Sequence, residues 1–373
     1  MFLVVFTLLI ALFGVFPAAA QPAPVECPLP PYQLPLVAPD RASIDENGDV
    51  LVAGIDTPFD LPDGLAAHRV LWSDDGEVVL VEAGRDRTRA VFSIRDGVLT
   101  QVLNNDDLMA LRTEDYRAAV MLFNPAFVPG THTVLFNTEL RVDFEGIYFE
   151  LPYDLWSLDL DSGELTEVLP YGTGGQFAIS PDGGHLVLMN FNAIWTTNIN
   201  GENPRPLFEG TVWIGLGESI QEPPVVWDAE RDVSTFRTIL YPDHDPNMGM
   251  FDAPFRVYEF TLGAEPTAEV LFSGQTDFLL NPKLSPDGYR VVEWRWHDLG
   301  DQRRVDLWLT SYGDPEDEAG TAQTLLTSFE VPSGVAPFVR WADETHVLFG
   351  HHTRGGRVES RIDLCGEIVP LSP

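Results

Sequence analysis

Residues 175–210 read GQFAISPDGGHLVLMNFNAIWTTNINGENPRPLFEG, and this stretch spells out one small antiparallel sheet in chain order. The apolar run Gln176–Ile179 predicts a first strand. Ser180-Pro181-Asp182-Gly183 predicts a turn: proline presets φ at the second position, and glycine accepts a positive φ. His185–Met189 and Ala193–Asn198 predict a second and a third strand. Asn200-Gly201 is a hairpin signal, and Arg205–Phe208 predicts a fourth strand. A sheet of this size cannot bury both of its faces alone, so it has to stack on copies of itself.

Copies are present. Lys283-Leu284-Ser285-Pro286-Asp287-Gly288 repeats the turn and is followed by the apolar runs Arg290–Trp294 and Val305–Thr310. Weaker copies stand at Trp72-Ser73-Asp74-Asp75-Gly76, Phe127-Val128-Pro129-Gly130, Val226-Trp227-Asp228-Ala229 and Arg340-Trp341-Ala342-Asp343. The anchor positions Ser73, Val128, Ser180, Trp227, Ser285 and Trp341 lie 47 to 58 residues apart, the length of one four-stranded unit with its loops. The expectation is an all-β chain folded as a six-bladed antiparallel β-propeller over residues 64–373. Asp45-Glu46-Asn47-Gly48-Asp49 before Val50–Gly54 makes a partial seventh anchor, read here as an accessory strand; a seven-bladed ring is the alternative. The Ser-Pro-Asp-Gly turns, together with Trp156-Ser157-Leu158-Asp159-Leu160-Asp161-Ser162-Gly163-Glu164, resemble the WD-like repeat of TolB-type propellers. That resemblance covers roughly residues 64–373 and implies a propeller. The family holds periplasmic interaction proteins and peptidase propellers alike, so it implies little about activity.

Composition sets the next limits. The 373 residues are 45% hydrophobic and 11% aromatic, which excludes disorder. A formal net charge of −35 makes a surface that repels nucleic acid and anionic membranes. Residues 1–20 read as a signal peptide. Phe2–Phe16 is apolar except for Thr7 and Gly14, and Ala18-Ala19-Ala20 supplies small residues before Gln21. As a helix those fifteen residues reach about 23 Å, short of the ~30 Å hydrocarbon core, so cleavage is expected over a retained anchor. Residues 21–63 form a strap with an accessory strand. Seven prolines between Pro22 and Pro39 keep its first half extended. The two cysteines, Cys27 and Cys365, sit near the two ends. In an oxidising compartment an even count predicts one disulfide, and a ring fold brings its termini together; two unrelated buried thiols are the alternative.

Strand parity divides the loops between two faces. First strands run into the Ser-Pro-Asp-Gly turns, so loops between second and third strands, and connections between units, share the opposite face. That face holds the long segments: 141–152, 241–254, 296–304, 350–356, 104–117 and 210–221. Long loops on a rigid scaffold are where binding residues collect. Tyr241, His244, Trp296, His297 and His351 are its candidate contact residues, aromatics suited to stacking on sugars or gripping a protein. Alternation along the first strands adds a channel set. Arg69, Asn124, Gln176 and Asn281 are expected to face the axis near the long-loop mouth, with Lys283 one step deeper. Two cations in so acidic a chain favour an anionic ligand such as a carboxylate or sulfate.

Other chemistry is missing from the sequence. There is no Gly-x-Ser-x-Gly elbow, His-Glu-x-x-His, paired Cys-x-x-Cys or phosphate-binding Gly-Lys-Ser/Thr loop. Asp243-His244-Asp245 and the acidic turn 45–49 lack the partners a metal site needs, so no metal and no cofactor are expected. The sequence therefore reads as a secreted or periplasmic, non-enzymatic binding or protein-interaction module. Its expected partner is a protein or glycan ligand, an anionic one being favoured by the two cations, with no nucleic acid and no stable membrane insertion after signal cleavage. The alternative is a glycan-active enzyme, a glycosidase or lyase, using carboxylates of the funnel with Arg69 as substrate anchor.

Overall fold

A computed structural model gives the fold. It describes residues 42–112, 118–144, 146–149, 154–190, 192–210, 212, 225–228, 234–243, 251–263, 265–278, 281–312, 321–335, 337–353 and 356–369. The described chain is built from six antiparallel meander sheets, each of four strands in chain order, preceded by a two-stranded hairpin. The first sheet is Ala66–Trp72, Val78–Arg85, Thr88–Arg95 and Val98–Leu103. The second is Ala118–Phe127, Thr133–Phe144, Leu155–Asp159 and Leu165–Leu169, with Gly146–Phe149 paired on its second strand. The third is Gln176–Ile179, His185–Met189, Ala193–Asn198 and Arg205–Glu209. The fourth is Val226–Trp227, Thr235–Leu240, Phe251–Thr261 and Thr267–Phe278. The fifth is Lys283–Leu284, Arg290–Asp298, Gln302–Ser311 and Ala322–Pro332. The sixth is Pro337–Trp341, His346–Thr353, Gly356–Asp363 and Ile368–Val369. This is the sheet order of a multi-bladed propeller.

The repeated turn has a simple lock. Ser180 Oγ donates to Asp182 Oδ1 at 2.5 Å and accepts the His185 N–H at 2.9 Å. Asp182 Oδ1 also accepts the Gly184 N–H, while Gly183 takes φ 68°. The same set of bonds recurs at Ser73/Asp75 and at Ser285/Asp287. One serine and one aspartate thus satisfy the turn's free amides and start the second strand in register.

The second to fifth sheets each pack both faces against neighbouring sheets. Leu71, Leu80 and Val91 share a core with Leu122, Val134 and Phe136 of the second sheet. Leu135 and Leu155 meet Phe177 and Leu188 of the third. Val187 and Met189 meet Phe236 and Phe260 of the fourth. Val257 meets Val291 of the fifth, and Trp294 and Leu307 meet Val347 and Phe349 of the sixth. Among the described residues no core joins the sixth sheet back to the first. The first sheet's other face is covered by the hairpin Ala42–Ile44/Val50–Val52, whose Ala42 and Val50 pack on Val79, Val81 and Phe92. The acidic turn of that hairpin is a local device: Asp45 Oδ1 accepts the N–H groups of Asn47 and Asn47's neighbour-but-one, Asp49.

This packing corrects the expected axial set. Sheet faces look at neighbouring sheets, so both parities of a first strand enter an interface and neither points down the axis. Leu71, Ala126, Val225 and Val339, which stand two residues before their turn anchors as Lys283 does, all belong to cores between sheets. A second difference is the helix Asn105–Arg112, inside a segment read as loop. Asn104 Oδ1 caps it by accepting the N–H groups of Asp106 and Asp107, and Asp107 returns the bond to the Asn104 N–H.

Candidate functional site

The junction of the first and second sheets holds a buried carboxyl. Glu82 stands on the second strand of the first sheet, opposite Arg69 in the ladder, with its side chain 2% exposed. Its Oε1 accepts the Leu122 N–H at 3.0 Å. Burial pushes the Glu82 carboxyl above the usual carboxylate range; Arg69 acts against that shift, and the charge of buried Glu139 adds to it. Arg69 is held loosely. Its guanidinium lies 3.5 Å from Glu82 Oε2, donates to the Leu122 carbonyl at 3.2 Å, and leaves 41% of the side chain exposed. A buried carboxyl of raised pKa, a second buried carboxyl whose charge acts on it and a half-exposed arginine are residue types that acid–base sites use.

A related group sits between the fourth and fifth sheets. Glu293 is buried, and burial raises its pKa, as does the charge of Asp277. Arg295 bonds Oε1 at 2.6 Å, and Oε2 has no hydrogen-bond partner. The pairing is tighter here, because Arg295 spends its charge on the carboxylate and its plane on Trp308.

The residues singled out from the sequence are scattered across several junctions. Asn281 is buried, donating to Thr276 and to the Trp294 carbonyl and accepting the Trp294 N–H, so its amide clips its own sheet. Asn124, at φ 50°, donates to the Phe177 carbonyl and ties the second sheet to the third. Gln176 is fully buried with neither side-chain polar atom bonded. Lys283 is brought down to about 8 by burial. Tyr241 was expected on an exposed loop; it is instead 2% exposed in the core between the fourth and fifth sheets. Trp296 packs on Trp294 and under Arg303, and His297, largely exposed, meets Asp306 at 3.2 Å. His351 is half-buried, paired in register with Pro337. His244 lies outside the described residues, as do residues 1–41 with the expected signal, strap and Cys27. No free cysteine is found among the described residues, Cys365 included.

The opposite face carries a cluster that the sequence reading missed. Asp75 and Glu77, at the first turn, stand with His132, at the first turn of the second sheet, and one ligand atom from each lies within 4.8 Å of the others. His132 Nε2 faces Asp75 Oδ2 at 3.1 Å, and Nδ1 faces Asp161 Oδ1 at 2.9 Å. Arg95 bonds Asp161 in turn. Hydrogen bonds from Ser73 and the Glu77 N–H bring Asp75 down to about 2, the bond to Asp161 raises His132, and the bond from Arg95 lowers Asp161. The signal was in part available: Asp75 is the aspartate of a repeated turn and Asp161 belongs to the Trp-Ser-Leu-Asp stretch. What was missing is that turns 57 and 29 residues from His132 converge on it.

No protein-family model and no curated protein matches the chain. Its fold is similar to solved structures. TolB from Acinetobacter baumannii aligns at 12% identity over 88% of this chain and 77% of that one, with a TM-score of 0.40. An oligogalacturonate lyase in complex with manganese aligns at 16% over 80% and 70%, TM-score 0.44, and one from Vibrio parahaemolyticus at 14% over 82% and 73%, TM-score 0.45. A prolyl endopeptidase aligns at 11% over 82% of this chain but 42% of its own length, TM-score 0.47. The expectation of a purely non-enzymatic binding module is corrected by the Asp75–Glu77–His132 cluster. Carboxylates and an imidazole at ligand-atom distance are the residue types of acid–base and metal-assisted chemistry. No described helix is long and apolar enough to cross a membrane.

Proposed function

We propose that this chain is an extracytoplasmic enzyme acting on glycans, a glycosidase or lyase, with Glu82 as its proton-transfer group. The observation that carries the reading is Glu82 itself: a carboxyl 2% exposed, raised by burial, beneath an arginine it does not lock. A protonated carboxyl at neutral pH can give its proton to a leaving glycosidic oxygen. Glu139 supplies the second carboxyl that such chemistry pairs with the first. Arg69 is the substrate anchor. When a hydroxyl or carboxylate of the sugar takes up its guanidinium, Glu82 loses the stronger of the two cationic influences, Arg69 over Arg89, that favour its ionised form, and its hold on the proton tightens. Closure of the six sheets into a ring, cleavage of residues 1–20, export to the periplasm or medium, and a Cys27–Cys365 disulfide complete the proposal. The apolar run 2–16 and the two terminal cysteines support these parts.

The test is a sugar-release screen of purified mature protein against neutral and acidic polysaccharides, run beside Glu82→Gln. Glu82→Gln keeps the Leu122 hydrogen bond and removes only the proton, so loss of turnover with an unchanged fold supports the role. Turnover that survives the substitution rules Glu82 out, and no turnover on any polymer rules out the enzyme reading.

A further inference from the structure

We infer that Asp75, Glu77 and His132 form a divalent-cation site that ties the first sheet to the second on the turn face. The site lies about 16 Å along the strand from Glu82, at ~3.3 Å per residue from Glu77, and rests on no part of the glycan reading.

The first argument is how the three side chains are held. Asp75 has one oxygen committed: Oδ1 accepts the Ser73 hydroxyl at 2.5 Å and the Glu77 N–H at 2.9 Å. Its other oxygen, Oδ2, is turned toward His132. His132 has one nitrogen committed: Nδ1 lies 2.9 Å from both Asp161 Oδ1 and Arg95 Nη2, and Arg95 bonds Asp161 as well. Its other nitrogen, Nε2, is turned toward Asp75. A carboxylate on the distal nitrogen of an imidazole, orienting the near nitrogen as a donor, is the usual outer support of a metal-binding histidine. Asp75 and His132 are therefore each aimed by bonds on the other side of the group.

The second argument is spacing. Ligand atoms about 2.1 Å from one ion stand ~3.0 Å apart at right angles and ~4.2 Å apart across it. The Asp75 Oδ2–His132 Nε2 separation is 3.1 Å, and all three donor atoms fall within 4.8 Å. The Glu77 carboxylate is exposed and swings freely to complete the set. The third argument is charge. Asp75, Glu77 and Asp161 outweigh Arg95, and the chain as a whole carries −35. One imidazole with two carboxylates and room for water suits a transition ion such as Mn²⁺ or Zn²⁺ over Ca²⁺ or Mg²⁺, which take oxygen ligands. Without an ion the same geometry is an imidazolium bridging two carboxylates, and that is the rival outcome.

The experiment is calorimetric titration of the EDTA-treated, dialysed mature protein with MnCl₂ and, separately, ZnCl₂ in 0.15 M salt. One saturable event per chain is expected for at least one of the two ions. Asp75→Asn, Glu77→Gln and His132→Ala should each weaken it at least about tenfold, while Asp45→Asn, at the hairpin turn, leaves it unchanged. With Mn²⁺ bound, spin-echo spectra should show ¹⁴N modulation that His132→Ala abolishes. Glu77 is exposed and makes no structural side-chain bond in the turn lock, so Glu77→Gln decides the matter if the other variants fold poorly. Absence of saturable binding, or binding that persists in Glu77→Gln without a ¹⁴N signal, overturns the site in favour of the proton bridge or diffuse attraction to an acidic surface.

Discussion

Two junctions between sheets each bury an arginine–carboxylate pair, and they are built to opposite ends. Between the fourth and fifth sheets Arg237 is 1% exposed and fully engaged. It gives two bonds to Glu259 Oε2, at 2.9 and 2.6 Å, one to Asp228 at 2.9 Å and one to the Tyr289 hydroxyl at 3.1 Å, with its plane 4.1 Å from the Tyr289 ring. Two carboxylates neutralise one guanidinium, and every donor is directed. Between the first and second sheets the carboxyl is the buried partner, the arginine is exposed, and the two stand 3.5 Å apart. The first arrangement has no chemistry left to offer. The second keeps a buried carboxyl of raised pKa beside a half-exposed guanidinium.

The largest effect that sharpens this contrast is at the clamp. Arg237→Ala leaves Glu259 and Asp228 facing each other without their cation and should cost about 3–5 kcal/mol of stability, read by denaturant unfolding. A loss under about 1 kcal/mol there removes the contrast. Lys283 comes next. Its folded pKa, brought down to about 8 by burial, lies below the ordinary lysine value of 10.5, so stability is lost as pH falls through that window. Lys283→Met should therefore stabilise the protein at pH 7 by up to about 3 kcal/mol, and the gain should shrink as pH rises from 8 toward 10.5. At Glu82 the sign is reversed. Its pKa is raised, so the native state loses stability as pH climbs above the carboxylate range, and Glu82→Gln should gain melting temperature over the parent at pH 8 relative to pH 4.5. The smallest effect belongs to Arg69. Arg69→Ala should cost less stability than Arg237→Ala, because the Arg69 guanidinium is 41% exposed and 3.5 Å from Glu82, while raising KM on any substrate found. Unfolding by Arg69→Ala makes that pair structural like the other.

Much of the fold was legible because its locks are local. Ser180 and Asp182 lie two residues apart, and so do Ser73 and Asp75, and Ser285 and Asp287; a turn that short is written whole in the sequence. The helix Asn105–Arg112 was legible too, in the Asn104-x-x-Asp107 cap, but was read as loop. The site was far less so. Glu82 meets Leu122 across 40 residues and His132 meets Asp75 across 57, and which sheet face packs on which neighbour decides both contacts. Alternation along a first strand says only that two faces exist. In stacked sheets both are buried, which is why Gln176 and Asn281, expected on an axis, lie inside.

The most direct test is turnover of Glu82→Gln against the parent on whichever polysaccharide the screen identifies, followed from pH 4 to 9. The expected result is a fall in kcat of about 10²–10⁴, the usual worth of a general acid, together with loss of the alkaline limb that the parent shows above the raised carboxyl pKa. Unchanged kcat, or an alkaline limb that stays in place without the Glu82 proton, contradicts the role assigned to it.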